Sequence, residues 1–451
     1  MSQTQVEHTE LRTMPQRPSQ NNTPEVVMRS ASDDTTVDGL APVDRGWPAW
    51  KMLLSAFLFE SLFWGFPLSF GVFQNYYSHQ PEYANQPYVS VIGTVASGIS
   101  YMGAPIIIPF LKRAHNHRTK MIWGGWALAI IGVLGSSFSK SLGAIIFTQG
   151  VMYGVGFTVF YYPIIGMVNE YWVARRGMAY GLLCSASGVS GIIFPFSLEA
   201  MLNRYGSATT LRAVAVGLTV TTAPLILFIK GRLPHTTATE THLSSTTDYA
   251  FLRRPLFWIY TASNLANGLG YFFPPLYLPS HASSLGLSTR AGAILLALMS
   301  IAQVFGQLSF GYLSDRRLPL NALILTSTLV TSAAVLALWG LARSFAVLSV
   351  FAVIYGFFGA GYTAMWARMG TAVAGDATAA FAAFGLFNFG KGLGNIFAGP
   401  ISGGLLMREV DTSRYGAAKY EAIVLFSGSC MLASAVCAAG AWLRPWKTAT
   451  A

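Results

Sequence analysis

Two ionisable side chains fall in the middle of long apolar runs: Glu60 within Trp50–Tyr76 and Lys391 within Ala379–Leu406. A charge at the centre of a bilayer costs roughly 2.5–3.5 kcal/mol even on the mild insertion scale, so each must face a cavity or a partner. Glu60 has the chemistry of a protonation site or of a reader of cationic groups, and Lys391 that of a holder of anionic ones. The structural alternatives are a salt bridge between helices, or a carboxyl kept neutral by burial. Asn388 and Asn395 flank Lys391 at three and four residues and share its helical face. Asn264 and Asn267 repeat the short spacing before Tyr271, and Gln303 and Gln307 stand four apart. Such amides hydrogen-bond a neutral or weakly acidic substrate, and they equally glue helices together.

Other chemistries lack their residues. Cys184, Cys430 and Cys437 lie inside apolar runs without ligand spacing and read as small buried hydrophobes. The seven His fall in tails, loops or span edges, again without metal-ligand spacing. A phosphate-binding loop, a dinucleotide fingerprint and a serine elbow are all missing. The expectation is therefore not an enzyme, with no cofactor and no metal.

The elements that must position Glu60 and Lys391 are apolar runs of bilayer length. A hydrocarbon core of about 30 Å needs roughly 20 helical residues. Twelve runs qualify. The first six are Trp50–Tyr76, Val89–Leu111, Met121–Phe138, Ala144–Val168, Met178–Leu198 and Leu211–Ile229. The second six are Leu256–Leu278, Ala291–Leu313, Leu320–Leu341, Phe345–Trp366, Ala379–Leu406 and Ile423–Leu443. With 53% hydrophobic and only 10% charged residues, a chain of this length belongs in a membrane. The fold expected is all-α, with twelve transmembrane helices.

Charge placement orients them. The net charge of +11 concentrates on one side, at Lys112, Arg113, Arg118 and Lys120, at Arg175 and Arg176, at Arg253 and Arg254, and at Arg316 and Arg317. The other side carries fewer, among them Lys140, Arg204, Arg212, Arg290 and Arg343. This bias puts both termini in the cytoplasm and explains the basicity without a nucleic-acid partner. Residues 1–48 are polar, rich in Ser, Thr, Asn and Pro, and read as a disordered cytoplasmic tail rather than a signal peptide.

The longest polar connection, 231–254, divides six helices at 49–230 from six at 255–443, with a short cytoplasmic tail at 444–451. Short matches cross that divide. Ala179-Tyr180-Gly181-Leu182 corresponds to Ala383-Phe384-Gly385-Leu386, and Gly188 to Gly392 at the same offset. An internal repeat of this kind suits two pseudo-twofold-related six-helix bundles and alternating access. Small residues four apart, Ser187 with Gly191 and Gly390 with Gly394, would let helices approach and slide.

Gly311-Tyr312-Leu313-Ser314-Asp315-Arg316-Arg317 resembles the loop signature of the major facilitator superfamily (MFS). The resemblance implies a conformational latch. Asp315 would cap the following helix end, Arg316 would engage the neighbouring bundle in one state, and Arg175 and Arg176 would complete the latch. The first-half copy has Arg113 where the acid would stand. Within the superfamily the chain resembles the monocarboxylate porter family, especially its fungal members. The carriers of that likeness are Asp44-Arg45-Gly46-Trp47, Gly71-Val72-Phe73-Gln74, Tyr171-Trp172 with Arg175-Arg176-Gly177-Met178-Ala179-Tyr180-Gly181, and Tyr277-Leu278-Pro279-Ser280-His281-Ala282.

Animal members of that family use a lysine in span one and an aspartate–arginine pair in span eight; here Leu68, Gln303 and Gln307 stand at those places. A lactate-like scheme is therefore not carried over. The superfamily implies a cavity lined by spans four and ten, hence by Tyr153, Tyr161 and Tyr162 and by Tyr355, Tyr362 and Trp366. Such a lining suits a planar, amphipathic molecule. Trp47, Trp50, Trp123, Trp172, Trp442 and Trp446 read instead as an interfacial belt. The function expected is efflux of a fungal secondary metabolite by a monomer in the cell membrane, with a vacuolar or other internal membrane as the alternative site. The partners expected are the small organic substrate, protons and the lipid bilayer. Proton-coupled uptake of a monocarboxylate or vitamin-like solute is the alternative function, and a non-transporting membrane sensor the alternative class.

Overall fold

The computed structural model describes residues 40–78, 80, 89, 91–233, 249–406 and 420–441. Residues 1–39 and 444–451 of the expected tails and 234–248 of the expected central loop lie outside the described residues, as do Trp442 and Trp446. The described elements are helical. In chain order, α1 is Trp47–Leu68, α2 Phe70–Ser78, α3 Val91–Met102, α4 Ala104–Arg113, α5 Arg118–Ser136, α6 Leu142–Ile145, α7 Tyr153–Tyr171 and α8 Arg176–Ile226. They continue with α9 Pro255–Tyr271, α10 Phe273–Ser284, α11 Thr289–Ser314, α12 Leu320–Ala333, α13 Phe345–Ile354, α14 Ala360–Ala364, α15 Trp366–Val373, α16 Ala377–Leu406 and α17 Glu421–Gly440. Among the described residues, nine helical stretches are long and apolar enough to cross a membrane.

Several of the expected spans are not single straight helices. Span one breaks at Ser69 just after Pro67, span two at Gly103 before Pro105, and span seven at Phe272 before Pro274. Proline lacks the N–H that would continue a helix and is tolerated in a new first turn. Spans five and six, expected as separate helices, run together as α8. At 1.5 Å per residue a straight helix of 51 residues would reach about two and a half times the bilayer core. The chain turns instead at Gly206, whose φ of 75° is open to glycine.

Wider π-helical turns occur at Ile146–Met152, between α6 and α7, and at Tyr355–Gly359, between α13 and α14. These fall in spans four and ten, the same place in each half of the chain. A third covers Ala334–Trp339 after α12. Widened turns of this type gather at functional sites because they re-aim side chains.

Glycines let α8 lie directly on α11. A Cβ on Gly177 would come 2.6 Å from the Gly311 carbonyl oxygen, and one on Gly181 2.6 Å from that of Gln307. Gly188 meets Val304 and Ser300 of α11, while its counterpart Gly392 of α16 meets Met102, Tyr101 and Gly98 of α3. The two glycines matched in sequence thus play matched roles, each packing on a helix from the other half of the chain. Ser187 and Gly191 also face α11, whereas Gly390 and Gly394 face α9 of their own half.

Gly306 of α11 has the least room: a Cβ there would fall 2.0 Å from the Phe357 carbonyl oxygen in the π-helical turn. We expect Gly306→Val to lower stability by about 1–3 kcal/mol, the usual range for overpacking. Gly217→Ala, at a site with open space, should be neutral or slightly stabilising. Thermal unfolding of the two variants in detergent checks both.

Candidate functional site

Lys391 is carried on α16 with its side chain buried, 1% exposed. Its Nζ lies 3.3 Å from the centre of the Tyr271 ring, 5.0 Å from Phe272 and 5.8 Å from Trp366. The break between α9 and α10 creates this arrangement, since it turns the adjacent Tyr271 and Phe272 toward one ammonium. A desolvated cation over aromatic faces gains about 2 kcal/mol. Aromatic faces do not accept strong hydrogen bonds, however, and Lys391 Nζ has no hydrogen-bond partner among the described residues. Two more buried donors without partners accompany it, Trp366 Nε1 and Asn395 Nδ2.

Glu60 sits in α1, 6% exposed, with Oε1 accepting from the Tyr161 hydroxyl at 3.4 Å and Oε2 unpartnered. Trp64, one turn on, packs against Tyr101 with ring centres 4.7 Å apart and meets Phe157 edge-on at 4.7 Å. Glu60 and Lys391 form no ion pair with each other among the described residues. Cys184 of α8 nevertheless lies within electrostatic reach of both, and Tyr101 within reach of Glu60 and Tyr271. The two charges face one central region, one from each half of the chain.

The amides divide by what they touch. Asn264 donates to the Phe387 carbonyl and Asn267 to Met431 Sδ, joining α9 to α16 and α17. Asn388 donates to the Phe384 carbonyl of its own helix at 2.9 Å. Gln303 donates to Ser187 Oγ at 2.8 Å, linking α11 to α8 across the halves, and Gln307 donates to Thr363 Oγ1 at 3.2 Å. Tyr355 donates to the Tyr271 carbonyl at 2.6 Å and so steadies the aromatic wall around Lys391. Tyr362 donates to Ser263 Oγ at 3.1 Å.

At the Arg176 end of α8 two carboxylates hold one turn. Asp44, just before α1, accepts from the N–H groups of Val173, Ala174 and Arg175 at 3.0, 2.9 and 2.9 Å. Asp315, just after α11, accepts from those of Gly177 and Met178 at 2.8 and 2.7 Å. Asp315 was expected to cap the helix that follows it. It caps α8 of the other half instead, because the glycine contact brings that helix start closer, and Pro319 stands at the N-cap of α12. Arg316 does not reach across: its guanidinium lies over Tyr312, 4.5 Å away, and Arg368 pairs with Asp315 at 3.5 Å. Arg176 is buried and donates to the Trp172 carbonyl. Trp172, expected in the interfacial belt, is fully buried, 5.1 Å from Trp50.

Comparison with known proteins agrees with this architecture. The family model described as Major Facilitator Superfamily matches residues 52–331. The chain belongs to the Major Facilitator Superfamily. It is 25% identical over 393 residues to "MFS transporter asaE" of Aspergillus flavus, covering 87% of this chain and 86% of that one. It is 27% identical over 404 residues to "Aspyridones efflux protein apdF" of Emericella nidulans, covering 88% and 78%. Rat "Monocarboxylate transporter 13" is 28% identical over 406 residues, covering 87% and 88%. The human organic anion transporter MFSD10 shares the fold, with a TM-score of 0.63 at 15% identity over 87% of this chain and all of that one. This MFS protein is thus a multi-pass membrane transporter, and its relatives are transporters rather than enzymes.

Three contributors escaped sequence reasoning as site residues: the three-way hold of Asp44, the pairing of Arg368 and the cage built by Tyr271 and Phe272. Asp44 did carry a signal, an acid two residues before a glycine that opens a helix. Cage and pairing join distant segments and have no local signature. His281 is a further departure. It was placed at a span edge, yet it is buried in α10, where its Nδ1 accepts from Trp339 Nε1 at 2.8 Å.

Burial raises the Asp315 carboxyl above its ordinary value; the two N–H bonds and Arg368 oppose the shift, and Asp44 adds to it. A carboxyl whose pKa is raised in the closed contact binds its proton better there than when free. Closure is therefore favoured below the free value and weakened as pH rises through the raised one. Spin labels across this end should report tighter closure on acidification toward the ordinary carboxylate range. Asp315→Asn should flatten that dependence.

Proposed function

We propose that this MFS protein is a secondary transporter that exports a small amphipathic organic molecule by alternating access. Its twelve helices would form two pseudo-twofold-related bundles, 49–230 and 255–443, joined by a cytoplasmic loop at 231–254. The nine bilayer-length stretches support this number when α8 counts as two, α9 with α10 as one, and α16 as one. The positive-inside bias supports cytoplasmic tails at 1–48 and 444–451, and hence a cytoplasmic position for the Asp315 contact. In that orientation Asp315, Arg368, Arg176 and the turn held by Asp44 form the latch that closes the cytoplasmic end, with Arg175 lending its backbone N–H and Arg316 standing outside it.

One observation carries the reading: two buried ionisable groups, one acidic and one basic, each with a polar atom short of a partner, face the centre from opposite halves. A static protein gains nothing from holding Glu60 and Lys391 apart, whereas a substrate bridging them satisfies both and draws the halves together. The name of the apdF relative as an efflux protein supports export of a secondary metabolite across the cell membrane. Proton-coupled uptake of a monocarboxylate is the second reading. The monocarboxylate transporter relatives favour it, as does Glu60 beside the Tyr161 hydroxyl.

Metabolite profiling of cells with and without the protein separates these readings. A compound held inside the deletion strain and depleted from the medium establishes export, and one left unused in the medium establishes uptake. Flux should fall at least about tenfold in Glu60→Gln and in Lys391→Ala, the loss expected when one contact of about 1.4 kcal/mol disappears. Unchanged flux in both variants would remove these residues from the site, and no flux in any strain would leave the sensor reading.

A further inference from the structure

Resting on the transporter reading, we infer that Lys391 reads the substrate, and that the substrate is a planar conjugated acid carrying a hydrogen-bond donor at its far end. The inference begins with what the second half of the chain leaves unsatisfied. Lys391 Nζ, Trp366 Nε1 and Asn395 Nδ2 are buried donors with no acceptor among the described residues. Asn395 stands one helical turn from Lys391 on the same face, and the Trp366 ring is 5.8 Å from the ammonium. Buried donors are normally paired, and three adjacent unpaired ones define a place for an anionic oxygen.

The ammonium rests meanwhile on the Tyr271 face, 3.3 Å from its centre, with Phe272 behind it. Aromatic faces hold a desolvated cation without neutralising it, so they serve as a resting place the cation leaves when an oxyanion arrives. As the ammonium moves to the oxyanion, the vacated rings present flat apolar faces to whatever the acid is attached to. A conjugated ring stacks there, while a small aliphatic acid satisfies the donors and leaves the rings bare. Across the centre Glu60 Oε2 is a buried acceptor without a partner among the described residues, and it takes an N–H or O–H at the far edge of the molecule.

This assigns anion recognition to span eleven, whereas the charges of the animal carriers lie in spans one and eight. Leu68, Gln303 and Gln307 at those places supply no positive charge.

The test uses the purified full-length chain and three probes: 6-hydroxy-2-naphthoate, its methyl ester, and cyclohexanecarboxylate. Naphthyl fluorescence should report binding of the hydroxynaphthoate. The ester by its own emission, and the non-planar acid by displacement, should bind at least about tenfold more weakly. Lys391→Met should erase the preference of acid over ester, and Lys391→Arg should keep it. Lys391→Met should also melt at a higher temperature than the natural protein, because an apolar side chain replaces a buried charge with no partner. A structural post resting on Tyr271 would give a lower melting temperature. Equal binding of acid and ester, no binding of the hydroxynaphthoate, or survival of the acid preference in Lys391→Met overturns the inference. Flux in proteoliposomes separates this from failure of the transporter reading. Selective binding without flux defeats transport and leaves the assignment of Lys391, and flux of ester in preference to acid does the reverse.

Discussion

The close approach of α8 to α11, made possible by Gly177, Gly181, Gly188 and Gly311, is the constraint from which the central geometry follows. Side chains of any size at these points would hold the helices apart. Asp315 could then no longer reach the N–H groups of Gly177 and Met178, nor Gln303 the hydroxyl of Ser187. Cys184 would also leave the region shared by Glu60 and Lys391. Within a bilayer, water does not drive helices together, so contact of this kind rests on close packing and on a few hydrogen bonds. Glycine surfaces bring the two helices close along this seam, and a few polar ties such as Gln303 to Ser187 cross it.

The same constraint explains which parts of the molecule were legible beforehand. Apolar length is a property of short segments, and it marked out the helical membrane architecture. Helix breaks at Ser69, Gly103 and Phe272 were written in nearby prolines, although an apolar run reads straight through them. The 51 residues of α8 merged two runs because the turn needs only Gly206. Asp315 was recognised as a cap, but its target lies 138 residues away at Gly177, and sequence spacing carries no information at that range. Arg316 and Arg368 illustrate the same limit. The arginine adjacent to Asp315 points away, and the distant one pairs with it.

At the centre, residue type announced that Glu60 and Lys391 were unusual, and only packing distinguished among their possible partners. A salt bridge was one reading of the two charges. The structure places aromatic rings around one and a tyrosine hydroxyl beside the other. The amides sort in a similar way. Asn264, Asn267 and Asn388 spend donors on neighbouring backbone or sulfur, whereas Asn395 keeps its donor free beside Lys391. Equal spacing along a helix therefore concealed two different jobs, joining helices and facing the centre.

On the transporter reading proposed above, opposite placement of Glu60 and Lys391 would link recognition to movement. Each side chain belongs to a different half, and each keeps one polar atom without a partner among the described residues, Glu60 Oε2 and Lys391 Nζ. A ligand that meets only one of them leaves the other unsatisfied and has little reason to prefer one arrangement of the halves. A ligand that meets both binds better where the halves are close, and the difference in affinity between arrangements is what shifts their populations. The seam at Gly177 and Gly311 would let that preference be transmitted, because α8 carries Cys184 beside Glu60 and Lys391 and, two turns away, the N–H groups that Asp315 holds. One helix thereby connects the centre to the closed end. Any shift of α8 that accommodates a ligand between Glu60 and Lys391 is also a shift of the turn held by Asp44 and Asp315.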